Sequence, residues 1–162
     1  MADAAKGAGA TLTARAGAGL GRTEKIKNQR ERILKSILRI LIGLVVIFNL
    51  LLGAGFLFSP ARMAALFFLS PDGVQGLATL RADFSSFFIA AALFAFYGAW
   101  KAHAAPLLAP LAMFAIAFIG RCIGLISDGV TPTAFTPMVV EAVMMAILLA
   151  GWRSFSRTSP QT

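Results

Sequence analysis

The sequence predicts an all-α integral membrane protein, a four-helix bundle crossing a bilayer, and three observations lead there. Of the 162 residues, 58% are hydrophobic and only 14% charged, far from the roughly 45–50% and 25% of soluble domains. The mean hydropathy is +0.78, more apolar surface than a water-soluble core of this size absorbs. The apolar residues also fall into four long runs with short connections. At about 1.5 Å per helical residue, each run approaches the roughly 30 Å of a hydrocarbon layer.

In order, residues 1–22 read as a basic cytoplasmic tail, 23–157 as a membrane domain with spans at about 33–58, 82–100, 107–126 and 134–152, and 158–162 as a short tail. The first 21 residues are rich in Ala and Gly without apolar periodicity, so they cannot bury enough surface to offset ordering entropy and are expected to be disordered. They do not read as a secretory signal, because the first apolar run comes late and no small-residue cleavage site follows it. Ala2 after Met1 and the ending Ser159-Pro160-Gln161-Thr162 match no lipidation signal.

From Thr23 the spacing turns helical, with Arg32, Lys35 and Arg39 on one stripe and Ile33, Ile37 and Ile40 on others. Ile40 to Phe58 is then almost wholly apolar, with Asn49 its one strongly polar residue. Asn49 is read as an interhelical hydrogen-bonding group worth roughly 1 kcal/mol, with a ligand contact as the alternative. Gly53-Ala54-Gly55 would permit close helix approach or a bend. Ser59-Pro60 ends the span. Ala61 to Leu69 is expected as a short interfacial helix with Met63, Leu66, Phe67 and Phe68 in lipid.

Ser70-Pro71-Asp72-Gly73 is a turn signal. Arg81 and Asp83 open the second span, which closes at Trp100, Lys101 and His103, the aromatic and cationic marks of a membrane surface. The third span follows Ala104-Ala105-Pro106 and tolerates Pro110 in its first turns. Asp128-Gly129 and Pro132 lead to the fourth, after which come Arg153 and Arg157. The repeated Ser-Pro-Asp-Gly and Ser-Asp-Gly turns are compatible with two duplicated hairpins, though Asp-Gly is also a common turn.

The formal charge of +8 comes mostly from nine cations ahead of the first long apolar run. Beside a span, such a cluster meets anionic lipid headgroups rather than nucleic acid, here through Lys25, Lys27, Arg30, Arg32, Lys35 and Arg39. With the amino terminus inside, twelve cations lie on that side against three outside. The positive-inside rule therefore predicts both termini in the cytoplasm.

Arg121 lies a few residues short of the end of the third span and Glu141 a similar number into the fourth, so both fall at nearly the same depth. A charge facing lipid there costs roughly 2.5–3.5 kcal/mol, so the two are expected to pair. Arg81, Asp83 and Asp128 lie near that level and complete the candidate polar centre. Gly120 and Gly124 form a small-xxx-small pair that would let a neighbouring helix approach.

No enzyme is expected. The single histidine, His103, lies at the opposite face from Glu141, and no Cys/His cluster offers metal ligands. There is no P-loop, nucleophile elbow or dinucleotide turn. Ser85-Ser86 reads as packing residues, and so does Cys122, which also excludes an internal disulfide. No cofactor is implied.

At Arg81-Ala82, Gly120-Arg121 with Gly124, Asp128-Gly129, Glu141 and Arg153, the chain resembles a family of small four-span bacterial inner-membrane proteins known only as a domain of unknown function. The likeness covers roughly residues 40–153. Members of that family have an aromatic and glycines shortly after the Arg-Ala pair, where this chain has Asp83-Phe84-Ser85-Ser86. The resemblance implies fold and location and no activity.

The functional expectation is a structural or accessory membrane component with a buried Arg/Glu polar centre. Its partners would be the bilayer and a membrane protein or a second copy. The alternative is a small-molecule or lipid-binding carrier with an outward-facing pocket and a proton-linked Glu141.

Overall fold

The computed structural model describes residues 24–156, and among these there is no strand. The disorder expected of residues 1–22 and the tail at 158–162 fall outside them. The chain divides into two compact units, Met1–Ile37 and Leu38–Thr162. In the first, the described residues 24–37 belong to helix α1 (Ala2–Phe58) and are exposed except for the half-buried Lys35.

The second unit holds the rest of α1, then α2 (Pro60–Leu66), α3 (Gly73–Thr79), a π turn (Leu80–Phe84), α4 (Ser85–Lys101), α5 (Leu108–Ser127) and α6 (Phe135–Ser156). Short 3-10 turns, Ala105–Leu107 and Pro132–Ala134, lead into α5 and α6. Four helical stretches, Glu24–Phe58, Gly73–Lys101, Ala105–Ser127 and Pro132–Ser156, are long and apolar enough to cross a membrane, and a helical bundle fits them.

The core follows from side-chain spacing. Buried residues recur every three or four positions: Leu38, Ile42, Val45, Asn49, Gly53 and Phe56 in α1, and Glu141, Met144, Leu148, Gly151 and Phe155 in α6. In α4 the same seam is made of small residues, Ser85, Ala91, Ala92, Ala95, Gly98 and Ala99, with Phe88 the exception. This is the repeat that lets helices lie nearly antiparallel with side chains interlocked.

Two glycines show how close the approach is. A Cβ on Gly151 would lie 2.6 Å from Ile42 Cδ1, and one on Gly98 would lie 2.6 Å from Leu107 Cδ2. The start of the membrane part of α1, the end of α4, the start of α5 and the end of α6 thus meet around fully buried Leu107 and Ile42. Gly53 does the same further along, 2.6 Å from Ile89 Cγ1, as the close approach expected of Gly53-Ala54-Gly55 requires.

A second cluster lies at the other end, where Phe56 packs against Phe67, Phe84 and Phe88 at centroid distances of 5.1, 4.8 and 5.9 Å. It corrects the expectation for the short helix. Leu66 and Phe68 are exposed, but Met63 and Phe67 turn inward against this cluster, and Met63 Sδ occupies the space that a Gly55 side chain would need. An edge-to-face contact with Phe56 holds Phe67 inward, and Met63 fills the space beside Gly55.

The second membrane helix also begins earlier than the sequence suggests, at Gly73. Arg81 and Asp83 do not start it; they ride within it on the π turn. A π turn disturbs the i to i−4 ladder and loosens carbonyls. Ser85 Oγ donates to the Arg81 carbonyl, and Ser86 Oγ donates to the Ala82 carbonyl at 2.5 Å. The serine pair thus serves the backbone as well as the packing.

Candidate functional site

Glu141 occupies a seam position of α6, one turn before Met144, so its helix aims it inward and it is 8% exposed. A lone carboxylate there would be costly. Arg121, seven residues beyond the buried Phe114 on α5, lies on the same face of its own helix. Arg121 Nε donates to Glu141 Oε1 at 2.8 Å, the one ion pair among the described residues. The pair is asymmetric: the arginine side chain is 38% exposed and the glutamate 11%. Glu141 Oε2 is buried and has no hydrogen-bond partner.

Asn49 continues this polar column inward. It is fully buried on α1, and its Nδ2 donates to the Val45 carbonyl at 2.8 Å and to Met144 Sδ at 3.5 Å. Its link to another helix is therefore a thioether, a weak acceptor. Asn49 Oδ1, like Glu141 Oε2, is buried without a partner. Two oxygens with unused acceptor capacity thus lie on α1 and α6 on either side of the Asn49–Met144 contact, while the one ion pair among the described residues uses a single carboxylate oxygen.

The remaining residues of the expected centre stand elsewhere. Arg81 Nε donates to the Leu57 carbonyl at 3.0 Å, so it satisfies one of the last carbonyls of α1 and places a cation at the negative end of that helix. Asp83 is exposed on the π turn and Asp128 is exposed at the end of α5, and neither forms an ion pair among the described residues. The centre reduces to Arg121 and Glu141, with Asn49 below them.

Gly120 and Gly124 do not bring a helix to Arg121. A Cβ on Gly120 would meet nothing within 4 Å, and one on Gly124 would meet only Asp128 Oδ2 of its own helix at 3.6 Å. Sequence reasoning also missed Met144 as the partner of Asn49 and the Leu57 carbonyl as that of Arg81. The first was available in the spacing of Glu141, Met144, Leu148 and Gly151; the second had no signal. Among the described residues, no group of three His, Cys, Asp or Glu side chains could hold a metal.

No curated protein and no solved structure matches the chain. A family model does match residues 37–152, more than half of the chain and all four membrane helices, and the chain accordingly belongs to the domain of unknown function family DUF4345.

Proposed function

We propose that the protein is a structural or accessory component of a bacterial inner membrane, with both termini in the cytoplasm, in which the Arg121–Glu141 pair fastens α5 to the bundle. The observation that carries this is the 2.8 Å contact from the least buried membrane helix. Only 11% of the apolar window of Ala105–Ser127 is buried within the chain, against 39% for Gly73–Lys101. Where apolar packing holds a helix least, a directed polar contact contributes most to its rotation and height. The orientation rests on the cation count, twelve against three.

A second reading is favoured by the partnerless Oε2 of Glu141 and Oδ1 of Asn49. In a carrier with a pocket toward the outer face, Glu141 would exchange a proton while Arg121 held a polar or anionic ligand. A double-mutant cycle separates the two. For a fastener, Arg121→Leu with Glu141→Leu recovers the thermal stability that either single change removes, measured on the full chain in detergent. Single variants as stable as the parent, or a double variant no more stable than the worse single one, overturn the fastener and leave the carrier.

A further inference from the structure

A groove of about 420 Å³ opens between α1 and α4 at the end of the bundle opposite Glu141. Arg39, Gly43 and Val46 line it from α1, and Phe96, Ala99 and Trp100 line it from α4. Its volume falls within the roughly 300–1,000 Å³ of small-ligand sites.

Three features make it more than a crease in a lipid-facing surface. Gly43 sits inside a helix, where glycine destabilises relative to alanine, yet a Cβ there would meet nothing within 4 Å. No neighbour among the described residues needs this residue to be small; its effect is to keep the groove floor open. Trp100 forms the wall, its ring 5.3 Å from Phe96 and 5.5 Å from the Lys101 ammonium, which steadies it. Arg39 stands at the mouth, exposed and without an ion pair among the described residues. A tryptophan and cations at the mouth of an apolar channel are the groups found at headgroup depth.

We propose that this groove is a binding site for a single anionic glycerophospholipid. Its phosphate lies on Arg39, its glycerol region beside Trp100, and the upper part of one acyl chain over Gly43, Val46 and Ala99. Charge selects the occupant: an unpaired guanidinium over an apolar floor complements a headgroup of net negative charge better than a zwitterionic one, whose own ammonium competes for the phosphate. The site is independent of the Arg121–Glu141 pair.

Trp100 is one of two tryptophans, so Trp152→Phe leaves it as the only fluorophore of that type. Full-length protein in detergent micelles is titrated with phosphatidylglycerol or phosphatidylcholine carrying brominated acyl chains, and tryptophan quenching is read. Phosphatidylglycerol should quench at about fivefold lower mole fraction, the advantage expected of one interfacial cation. Arg39→Gln should narrow the gap between the two curves, and a gap left unchanged overturns the proposal. Gly43→Leu should weaken quenching by both lipids without lowering the melting temperature, because the new side chain enters open space. Equal quenching by the two lipids with Arg39 in place, or quenching by phosphatidylglycerol unchanged in Gly43→Leu, overturns the proposal.

Discussion

The two ends of the bundle are held by different physics. At one end, Ile42, Gly98, Leu107 and Gly151 fit so closely that a methyl on either glycine would lie 2.6 Å from a neighbouring side chain. At the other, beside the aromatic cluster around Phe56, the end of α5 also meets the start of α6 through a guanidinium and a carboxylate, and acceptor capacity is left over on Glu141 and Asn49. Contact between small residues gains energy from many weak dispersion terms and is intolerant of added volume. The polar contact gains it from one directed bond and is intolerant of losing a partner. The two regions should therefore fail under opposite kinds of substitution.

The largest effect is expected at the polar end. Arg121→Leu leaves the Glu141 carboxylate buried without its cation, which should destabilise the chain by about 2–3 kcal/mol, below the 3–5 of a fully buried pair because Arg121 reaches the surface. Unfolding of the detergent-solubilised protein would measure it. A loss under about 0.5 kcal/mol, typical of exposed pairs, would mean that the two ends do not differ in kind.

Next comes the close-packed end. Gly151→Ala puts a methyl 2.6 Å from Ile42 Cδ1 and 3.3 Å from Leu107 Cδ1; shifting those side chains costs about 1–2 kcal/mol, and the helix gain of up to about 1 kcal/mol from alanine leaves a net loss of about 0.5–1 kcal/mol. Ile42→Val removes the obstructing carbon and should recover part of that loss in the double variant. Gly120→Ala is the control at the polar end: it meets nothing within 4 Å and should stabilise its helix by up to about 1 kcal/mol. If both glycines respond alike to alanine, steric fit does not distinguish the ends.

How much of this could be read in the chain follows the same division. The four apolar runs are visible because span length is fixed by bilayer thickness, and the family resemblance rests on motifs that recur in order along them. Arg121 and Glu141 could be matched because a hairpin between two spans brings equal distances from its turn to equal depth. What could not be read depends on which way a residue faces. The pattern Gly120-xxx-Gly124 is the same whether it meets a helix or nothing, and here it meets nothing. Met63 and Phe67 look as suited to lipid as Leu66 and Phe68; only the position of Phe56 across the turn separates them. Arg81 and Asp83 look like a span boundary because charges are costly inside one. The helix runs through them because both stay exposed and two serine hydroxyls bond to carbonyls that the π turn loosens. Arg81 then reaches the end of α1, a contact between residues 24 positions apart that no local rule encodes.

The smallest effect tests how far the close-packed end extends into its connection. Ala102 ends α4 in the left-handed region, φ 49° and ψ 39°, and the His103 amide donates back to the Gly98 carbonyl at 2.9 Å. Glycine is the usual residue there. Relieving the left-handed strain of an alanine gains about 1–2 kcal/mol. Against it stand the greater unfolded-state entropy of glycine, about 0.5–1 kcal/mol, and the loss of a methyl that is half-buried against the main core cluster. That methyl is worth a fraction of the roughly 0.8 kcal/mol of a buried carbon. The balance is a stabilisation of Ala102→Gly within about 0.5 kcal/mol of zero, read as a small rise in melting temperature. A clear destabilisation would mean that the Ala102 methyl contributes more through packing than its backbone costs in strain. The region where added or lost volume decides stability would then reach past the last turn of α4 into the connection itself.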